Sequence, residues 1–222
     1  EERAAAAAGE RRLEAGGSEK FSALADMRVW ILIGLYASVA IGTNAYSAYL
    51  PKLVKDSFEP QLVGAGGDTT GLYWKIGALS ALPQAAAVIA MLVAGRISDS
   101  SGRRAPVVLA ALAVAAAGWL LAWLQIGPWI TLLGLALALA GMMAVLPVFW
   151  TLPPLFLGGV AAAAGIALVN SVANIGGIFA PKLVGSFGIG PMAVAMAWGM
   201  LMSLVAWWYI ERRATAARAG RG

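Results

Sequence analysis

The stretch that decides the fold is Trp129 to Trp150, which reads WITLLGLALALAGMMAVLPVFW and contains no charged residue. A helix rises about 1.5 Å per residue, so these residues would reach across the roughly 30 Å hydrocarbon core of a bilayer. A run of more than about 18 apolar residues is typical of a membrane-spanning helix. The pattern therefore predicts that this segment crosses a membrane.

Five similar stretches accompany it along the chain. They are Val29 to Val54, Leu72 to Gly95, Pro106 to Leu124, Gly158 to Val184 and Met192 to Ile210. Hydrophobic residues make up 60% of the chain and charged residues 12%, against about 45–50% and about 25% in soluble domains. Long runs with so few interior charges exclude buried helices of a soluble protein. The sequence predicts an all-α membrane protein with six transmembrane helices over residues 28–211.

Prolines and acidic residues divide these stretches further. Pro83, Pro147 and Pro181 are expected to break their helices, because proline lacks the backbone N–H that continues a helix. The acidic residues between the first two stretches are expected to lie in the longest outer loop. These residues are Asp56, Glu59 and Asp68.

The composition also bears on function. The chain has no Cys and no His, which excludes disulfides, thiolate metal sites and histidine catalysis. We therefore expect no enzyme activity, no metal and no cofactor. The net charge of +5 does not indicate nucleic-acid binding, because the basic residues lie between and beyond the apolar runs.

The basic residues instead predict the orientation in the membrane. Twelve of the sixteen Lys and Arg residues fall before the first span, between the second and third spans, or after the last. The other four are Lys52, Lys55, Lys75 and Lys182. Since cytoplasmic segments are enriched in Lys and Arg, both termini and the segment around Asp99 are expected in the cytoplasm. Residues 1–27 would be a cytoplasmic linker and residues 212–222 a basic tail.

One polar motif stands between the second and third spans. Gly95 to Arg104 reads GRISDSSGRR, and its glycines would permit a tight turn while its arginines hold the segment inside. It resembles the signature loop of the major facilitator superfamily, although Ser100 stands where relatives often carry a basic residue. The resemblance implies a gating role for Gly95, Arg96, Asp99, Gly102, Arg103 and Arg104. The alternative is a basic loop that only sets topology.

Three other stretches resemble one family within that superfamily. Phe149 to Leu157 (FWTLPPLFL) and Ala161 to Gly177 (AAAAGIALVNSVANIGG) resemble helices ten and eleven of the anion:cation symporter family, and Ser80 to Gly102 is similar to its helix eight. The resemblance covers most of the chain and aligns it with the C-terminal six-helix half of a twelve-helix transporter. The chain, which begins at Glu1, is accordingly expected to be a fragment.

The family resemblance implies a function for the whole protein. It implies proton-coupled symport of a small organic anion, such as a sugar acid, a dicarboxylate or an aromatic carboxylate, by rocking of two halves around a midplane site. The implied partners are the lipid bilayer, the N-terminal six-helix half, the anion and a proton, in a bacterial inner membrane. The coupling carboxylates and anion-binding arginines of the family lie in the N-terminal half.

Polar side chains inside the spans give a separate set of candidates. Tyr36, Asn44 and Ser47 fall within about 80° of one another on a helix, and Tyr46 lies to one side of this stripe. Asn170 and Asn174 are one turn apart near the middle of their span, where an uncompensated amide is costly. Trp150 joins them through the family motif. The predicted substrate-binding residues are Tyr36, Asn44, Tyr46, Trp150, Asn170 and Asn174.

Other interpretations of these polar residues remain open. Their side chains could form interhelical hydrogen bonds, worth about 0.6 kcal/mol on average. The chain could then be a membrane scaffold subunit that moves no solute. The chain could also come from a sugar or drug transporter of the same superfamily. An intramembrane enzyme is weaker, because no carboxylate pair and no serine with a partnering base lies within the spans.

Overall fold

The computed structural model describes residues 26–63 and 71–211, which are helical apart from short connections. The helices are α1 (Met27–Val63), α2 (Leu72–Ser101), α3 (Arg104–Trp123), α4 (Pro128–Phe149), α5 (Gly159–Ile178), α6 (Ala180–Phe187) and α7 (Gly190–Ala206). A single 3-10 turn, Pro153–Leu155, follows α4, and a π-helical turn, Trp207–Glu211, follows α7. The expected linker before residue 26 and the basic tail after residue 211 lie outside the described residues.

Within residues 26–63 and 71–211, six helical segments are long and apolar enough to span a membrane, as the sequence predicted. Helices α5 and α6 form one of these spans together. In hydrocarbon no water is available to hydrogen-bond the backbone, so a spanning chain satisfies its own N–H and C=O groups within helices. The chain is therefore an integral membrane protein, and its spans are those expected of half of a major facilitator fold.

Helices α1 and α4 form the centre of the bundle. They bury 56% and 61% of the residues in their most apolar 18-residue stretch, against 17% for α2 and 22% for the α5–α6 span. Helix α1 contacts α2, α4, α5, α6 and α7, while α4 contacts α1, α2 and α3. Helices α3 and α7 pack on each other. The bundle thus leaves α2 and α5 with large exposed faces.

The tightest packing joins α3 to α4 through small residues. A Cβ atom placed on Gly134 would lie 2.6 Å from the backbone nitrogen of Ala122 and 2.8 Å from the carbonyl oxygen of Gly118. Gly118 faces Gly134 and Ala138 in the same way. Small residues at a membrane helix interface allow this close approach, which gains dispersion energy where the hydrophobic effect is weak. The small residues therefore explain how α3 is fixed to the central helix.

Some details differ from the sequence predictions. Pro83 does not break its helix, since α2 runs continuously from Leu72 to Ser101 with Pro83 buried inside it. Transmembrane helices tolerate proline when neighbouring groups satisfy the freed carbonyl. Pro181 does mark a break, because α5 ends at Ile178 and α6 starts at Ala180. Pro147 lies inside α4, which ends two residues later at Phe149.

The predicted outer loop is also shorter than expected. Helix α1 continues past Val54 to Val63, so Asp56 and Glu59 lie on its last turns rather than in a loop. Lys55 and Glu59 form an i,i+4 ion pair of 3.8 Å there, which supports this polar helical extension. Asp68 lies outside the described residues.

Candidate functional site

An aromatic cluster joins α1 to the end of α4. The ring of Tyr36 stacks on Phe149 with centroids 5.1 Å apart, and it meets Trp150 edge-on at 5.0 Å. Phe149 and Trp150 contact each other at 5.0 Å in a T-shaped arrangement. Helix α4 ends at Phe149 with Trp150 as its C-cap residue, shortly before Pro153 and Pro154, which cannot donate the N–H groups that would extend it. Tyr36 and Trp150 are only partly buried, so the cluster presents aromatic surface outward.

Two amides from α5 stand beside this cluster. The Asn174 Nδ2 donates to the Asn170 carbonyl oxygen at 2.7 Å and to the Asn170 Oδ1 at 3.0 Å. The Asn174 side chain also interacts with the Tyr36 hydroxyl. Both asparagines are exposed. The structure therefore brings together four of the predicted residues on one face formed by α1, α4 and α5.

Asn44 lies on the same side of α1, further along the helix. Its Nδ2 donates to the Ala40 carbonyl oxygen at 2.8 Å. A Cβ atom placed on Gly177 of α5 would lie 2.5 Å from this nitrogen, so the glycine leaves room for the amide. Asn44 remains exposed, and it extends the polar face along the contact between α1 and α5.

Tyr46 is not part of this face. It is 1% exposed and meets Trp119 of α3 edge-on at 6.0 Å, inside the bundle. Two residues along a helix rotate the side chain by about 200°, which turns Tyr46 away from Asn44 and toward α3. The Tyr46 hydroxyl has no hydrogen-bond partner among the described residues. The structure separates Tyr46 from the other candidates.

The Gly95 to Arg104 motif is mostly helical rather than a loop. Helix α2 continues to Ser101, Gly102 takes a left-handed conformation with φ of 64°, and α3 starts at Arg104. The Gly102 N–H donates to the Ser98 carbonyl oxygen at 3.0 Å, which is a usual glycine helix end. The turn between the helices is therefore only two residues long.

The charged members of this motif have different surroundings. Arg104 donates to the Thr151 carbonyl oxygen at 3.4 Å and so ties the turn to the end of α4. Arg96, Asp99 and Arg103 are exposed, and none of them forms an ion pair within 4.0 Å in the described part of the chain. Gly95 is half-buried, with its Cβ direction pointing toward Pro147 of α4.

Gln84 is a polar residue on an exposed helix face that was not among the sequence candidates. Gln84 lies near the middle of α2 and is exposed. The criterion that selected Asn170, an amide inside an apolar span, would have found it. It adds a further hydrogen-bonding group to the outward surface of the bundle.

The face carries hydrogen-bonding and aromatic groups but offers little for covalent chemistry. No group of three or more His, Cys, Asp or Glu that could hold a metal occurs in residues 26–63 and 71–211. The middle of each span carries no Asp, Glu, Lys or Arg, so the face supplies amides, one phenol and one indole. Amides both donate and accept hydrogen bonds, and aromatic rings provide flat apolar surface. Fold and site together define a polytopic membrane protein with an uncharged polar face.

Comparison with known proteins identifies the family. The family model described as the Major Facilitator Superfamily matches residues 3–181. The chain is 33% identical over 162 residues to a putative tartrate transporter of Agrobacterium vitis, covering 73% of this chain and 35% of that protein. The chain belongs to the Major Facilitator Superfamily, as the GRISDSSGRR motif predicted.

Two further relatives show the range of proteins that it resembles. It is 31% identical over 207 residues to a quinolone resistance transporter of Acinetobacter baumannii, covering 87% of this chain and 44% of that protein. It is 34% identical over 161 residues to the inner membrane transport protein RhmT of Escherichia coli, covering 72% and 35%. The chain thus spans between about a third and a half of the length of these relatives.

Proposed function

We propose that this chain is the C-terminal half of a secondary active transporter for a small organic anion, working by alternating access with proton symport. The other half of the transport pathway would come from an N-terminal six-helix half. Both termini and the turn at Gly102 would face the cytoplasm of a bacterial cell, in its inner membrane. The substrate class would be a sugar acid, a dicarboxylate or an aromatic carboxylate.

The observation that carries this proposal is the polar face of Tyr36, Trp150, Asn170 and Asn174. Exposed amides in the middle of a span are expensive against lipid tails, so they are expected to face protein or a water-filled cavity. Their helix, α5, contacts mainly α1 and buries little of itself. A second half packed across this face would enclose a cavity lined by amides and aromatic rings.

The chemistry of the face indicates how substrate binding and charge neutralisation would be divided between the two halves of the transporter. Hydroxyl and carboxylate oxygens of a substrate can accept bonds from the asparagine amides, and an aromatic or apolar part can rest on Trp150 and Tyr36. No cation lies in the middle of these spans, so neutralising the charge of an anion would fall to the N-terminal half. The same holds for the titratable group that proton coupling requires.

A second candidate substrate class is a drug-like aromatic compound. The support for it is the similarity to a quinolone resistance transporter, which extends over 87% of this chain. The stacked ring pair of Tyr36 and Phe149 would suit a flat ring as well as it suits an aromatic acid. The similarity to a putative tartrate transporter favours the hydroxylated acid.

Uptake by purified protein in liposomes tests both candidates. The full-length transporter that contains this chain should accumulate labelled tartrate or another small organic acid when the outside is acidic, and a protonophore should abolish the accumulation. The isolated 222-residue chain should accumulate nothing under the same conditions.

Three outcomes would change the proposal. Equal uptake by the isolated chain would show that it is a complete transporter, for example as a dimer. Export of a quinolone with no uptake of any organic acid would select the drug transporter. Binding and movement of no solute by the full-length protein would indicate a scaffold subunit.

A further inference from the structure

A groove separates α2 from α3 on the surface of the bundle. Both helices pack against α4 but hardly against each other, so they diverge and leave a space of about 520 Å³ with α4 as its floor. The floor consists of Ala140, Gly141 and Ala144. The groove lies on the α3 side of α2 and does not include the polar face of α5.

The walls of this groove are almost entirely apolar. Helix α2 contributes Ala90, Val93, Ala94 and Ile97, and α3 contributes residues from Pro106 to Val114. Several of these side chains are exposed, including Val93 and Ile97. An open apolar groove in a membrane-spanning segment is suited to hydrocarbon rather than to a hydrated solute.

The length of the groove matches one leaflet of a bilayer. On α3 it runs from Arg103 to Val114, and on α2 from Ala90 to Ser101. Each is eleven residues of rise, or about 16 Å, which fits within one leaflet, about 20 Å deep when the headgroup region is counted. The groove therefore starts at one membrane surface and runs toward the midplane.

Polar groups occur only at the surface end of the groove. Ser101 and Arg103 line its mouth, and the Arg103 N–H donates to Ser101 Oγ at 3.3 Å. Arg103 is exposed and forms no ion pair in the described part of the chain, while Arg104 is committed to the Thr151 carbonyl oxygen. The formal charges of the nearby Arg96 and Asp99 cancel, so Arg103 supplies the net positive charge at the mouth.

We propose that this groove binds a phospholipid with an anionic headgroup, with one acyl chain lying between α2 and α3 and the headgroup phosphate on Arg103 and Ser101. An arginine fork and a hydroxyl are good partners for phosphate oxygens. Basic pockets between membrane helices bind anionic lipids in this way. The lipid would belong to the leaflet on the side of the Gly102 turn.

A lipid chain is favoured as the occupant because the polar groups line only one end of the groove. Ser101 and Arg103 line the mouth, and the remaining lining residues are apolar or small. A single acyl chain can follow the groove from the mouth toward the midplane while its headgroup stays at the mouth.

Native mass spectrometry of the delipidated full-length transporter tests the inference, with phosphatidylglycerol and phosphatidylcholine as probes. One phosphatidylglycerol molecule should bind at least tenfold more tightly than phosphatidylcholine. Arg103→Gln should remove this preference. Arg96→Gln, which changes an exposed arginine of the same motif outside the groove, should keep it.

A second pair of variants tests the acyl chain. Ala110→Phe fills the groove and should weaken binding of both lipids about tenfold. Ala117→Phe is the matched control, because this exposed alanine lies on the same side of α3 two turns further on and does not line the groove.

Three results would overturn the inference. Unchanged lipid affinity in both Arg103→Gln and Ala110→Phe would exclude this groove. An equal loss in Arg96→Gln would show a general charge effect. A change in oligomer mass or melting temperature of Ala110→Phe with lipid binding intact would show that protein covers the groove.

Discussion

Replacing Asn170 with alanine is the sharpest test of the polar face. The Asn170 Oδ1 accepts one of the two bonds that Asn174 Nδ2 makes to this residue, and the other goes to the Asn170 backbone oxygen, which the substitution keeps. The stability cost should therefore be near the average for a membrane hydrogen bond, about 0.6 kcal/mol. For a bundle of this size that corresponds to a fall in melting temperature of about 1–2 °C.

The effect on binding should be larger. If Asn170 donates to the substrate in a closed cavity, removing its amide strands a desolvated acceptor at a cost of about 1–3 kcal/mol. That cost raises Kd by about 5- to 150-fold. Substrate affinity and melting temperature are measured on the same purified full-length variant, with Gln61→Ala as the control, because Gln61 is an exposed amide at the end of α1.

The double variant Asn170→Ala/Asn174→Ala, compared with the single variants Asn170→Ala and Asn174→Ala, separates two interpretations. Two amides that contact one substrate and each other should give non-additive changes in affinity. A loss of stability with unaltered affinity in all three variants would assign both asparagines to interhelical packing and refute the proposed site.

Three further predictions concern the two tyrosines of α1, the contact between α3 and α4, and the orientation in the membrane. Tyr36→Phe should raise the substrate Kd about two- to tenfold, since it removes a hydroxyl that interacts with Asn174. Tyr46→Phe should leave affinity and stability unchanged, because its hydroxyl has no partner in the described part of the chain. An equal loss of affinity in both variants would contradict this prediction. Gly134→Ala should destabilise the folded protein by about 1–3 kcal/mol through overpacking against α3. Gly77→Ala, at an open position of α2, should leave stability unchanged, and thermal melting of the two variants tests this. Ser101→Cys in a Cys-free background should resist a membrane-impermeant thiol reagent in intact cells and react after lysis, and labelling from outside would reverse the proposed orientation.

Hydrophobicity and local pattern determined much of this protein from sequence alone. A 20-residue apolar run has one stable solution in a bilayer, because only a helix satisfies its own backbone there. The number of spans and the family motif therefore followed from residues close together in the chain. The amides Asn170 and Asn174 stood out for the same reason, since polarity inside an apolar run is visible without a fold.

Only the tertiary structure decided which of these polar residues share a surface. Tyr36 and Tyr46 look alike in the sequence, yet one belongs to an exposed aromatic cluster and the other is buried against Trp119. Which side of α1 meets α3 and which meets α5 depends on how the helices pack, and the glycines of α3 and α4 help to fix that packing. The groove between α2 and α3 is likewise a product of packing, because it exists where two helices that share α4 fail to meet each other. Periodicity along one helix cannot determine its neighbours, which are set by complementary shape between segments far apart in the chain.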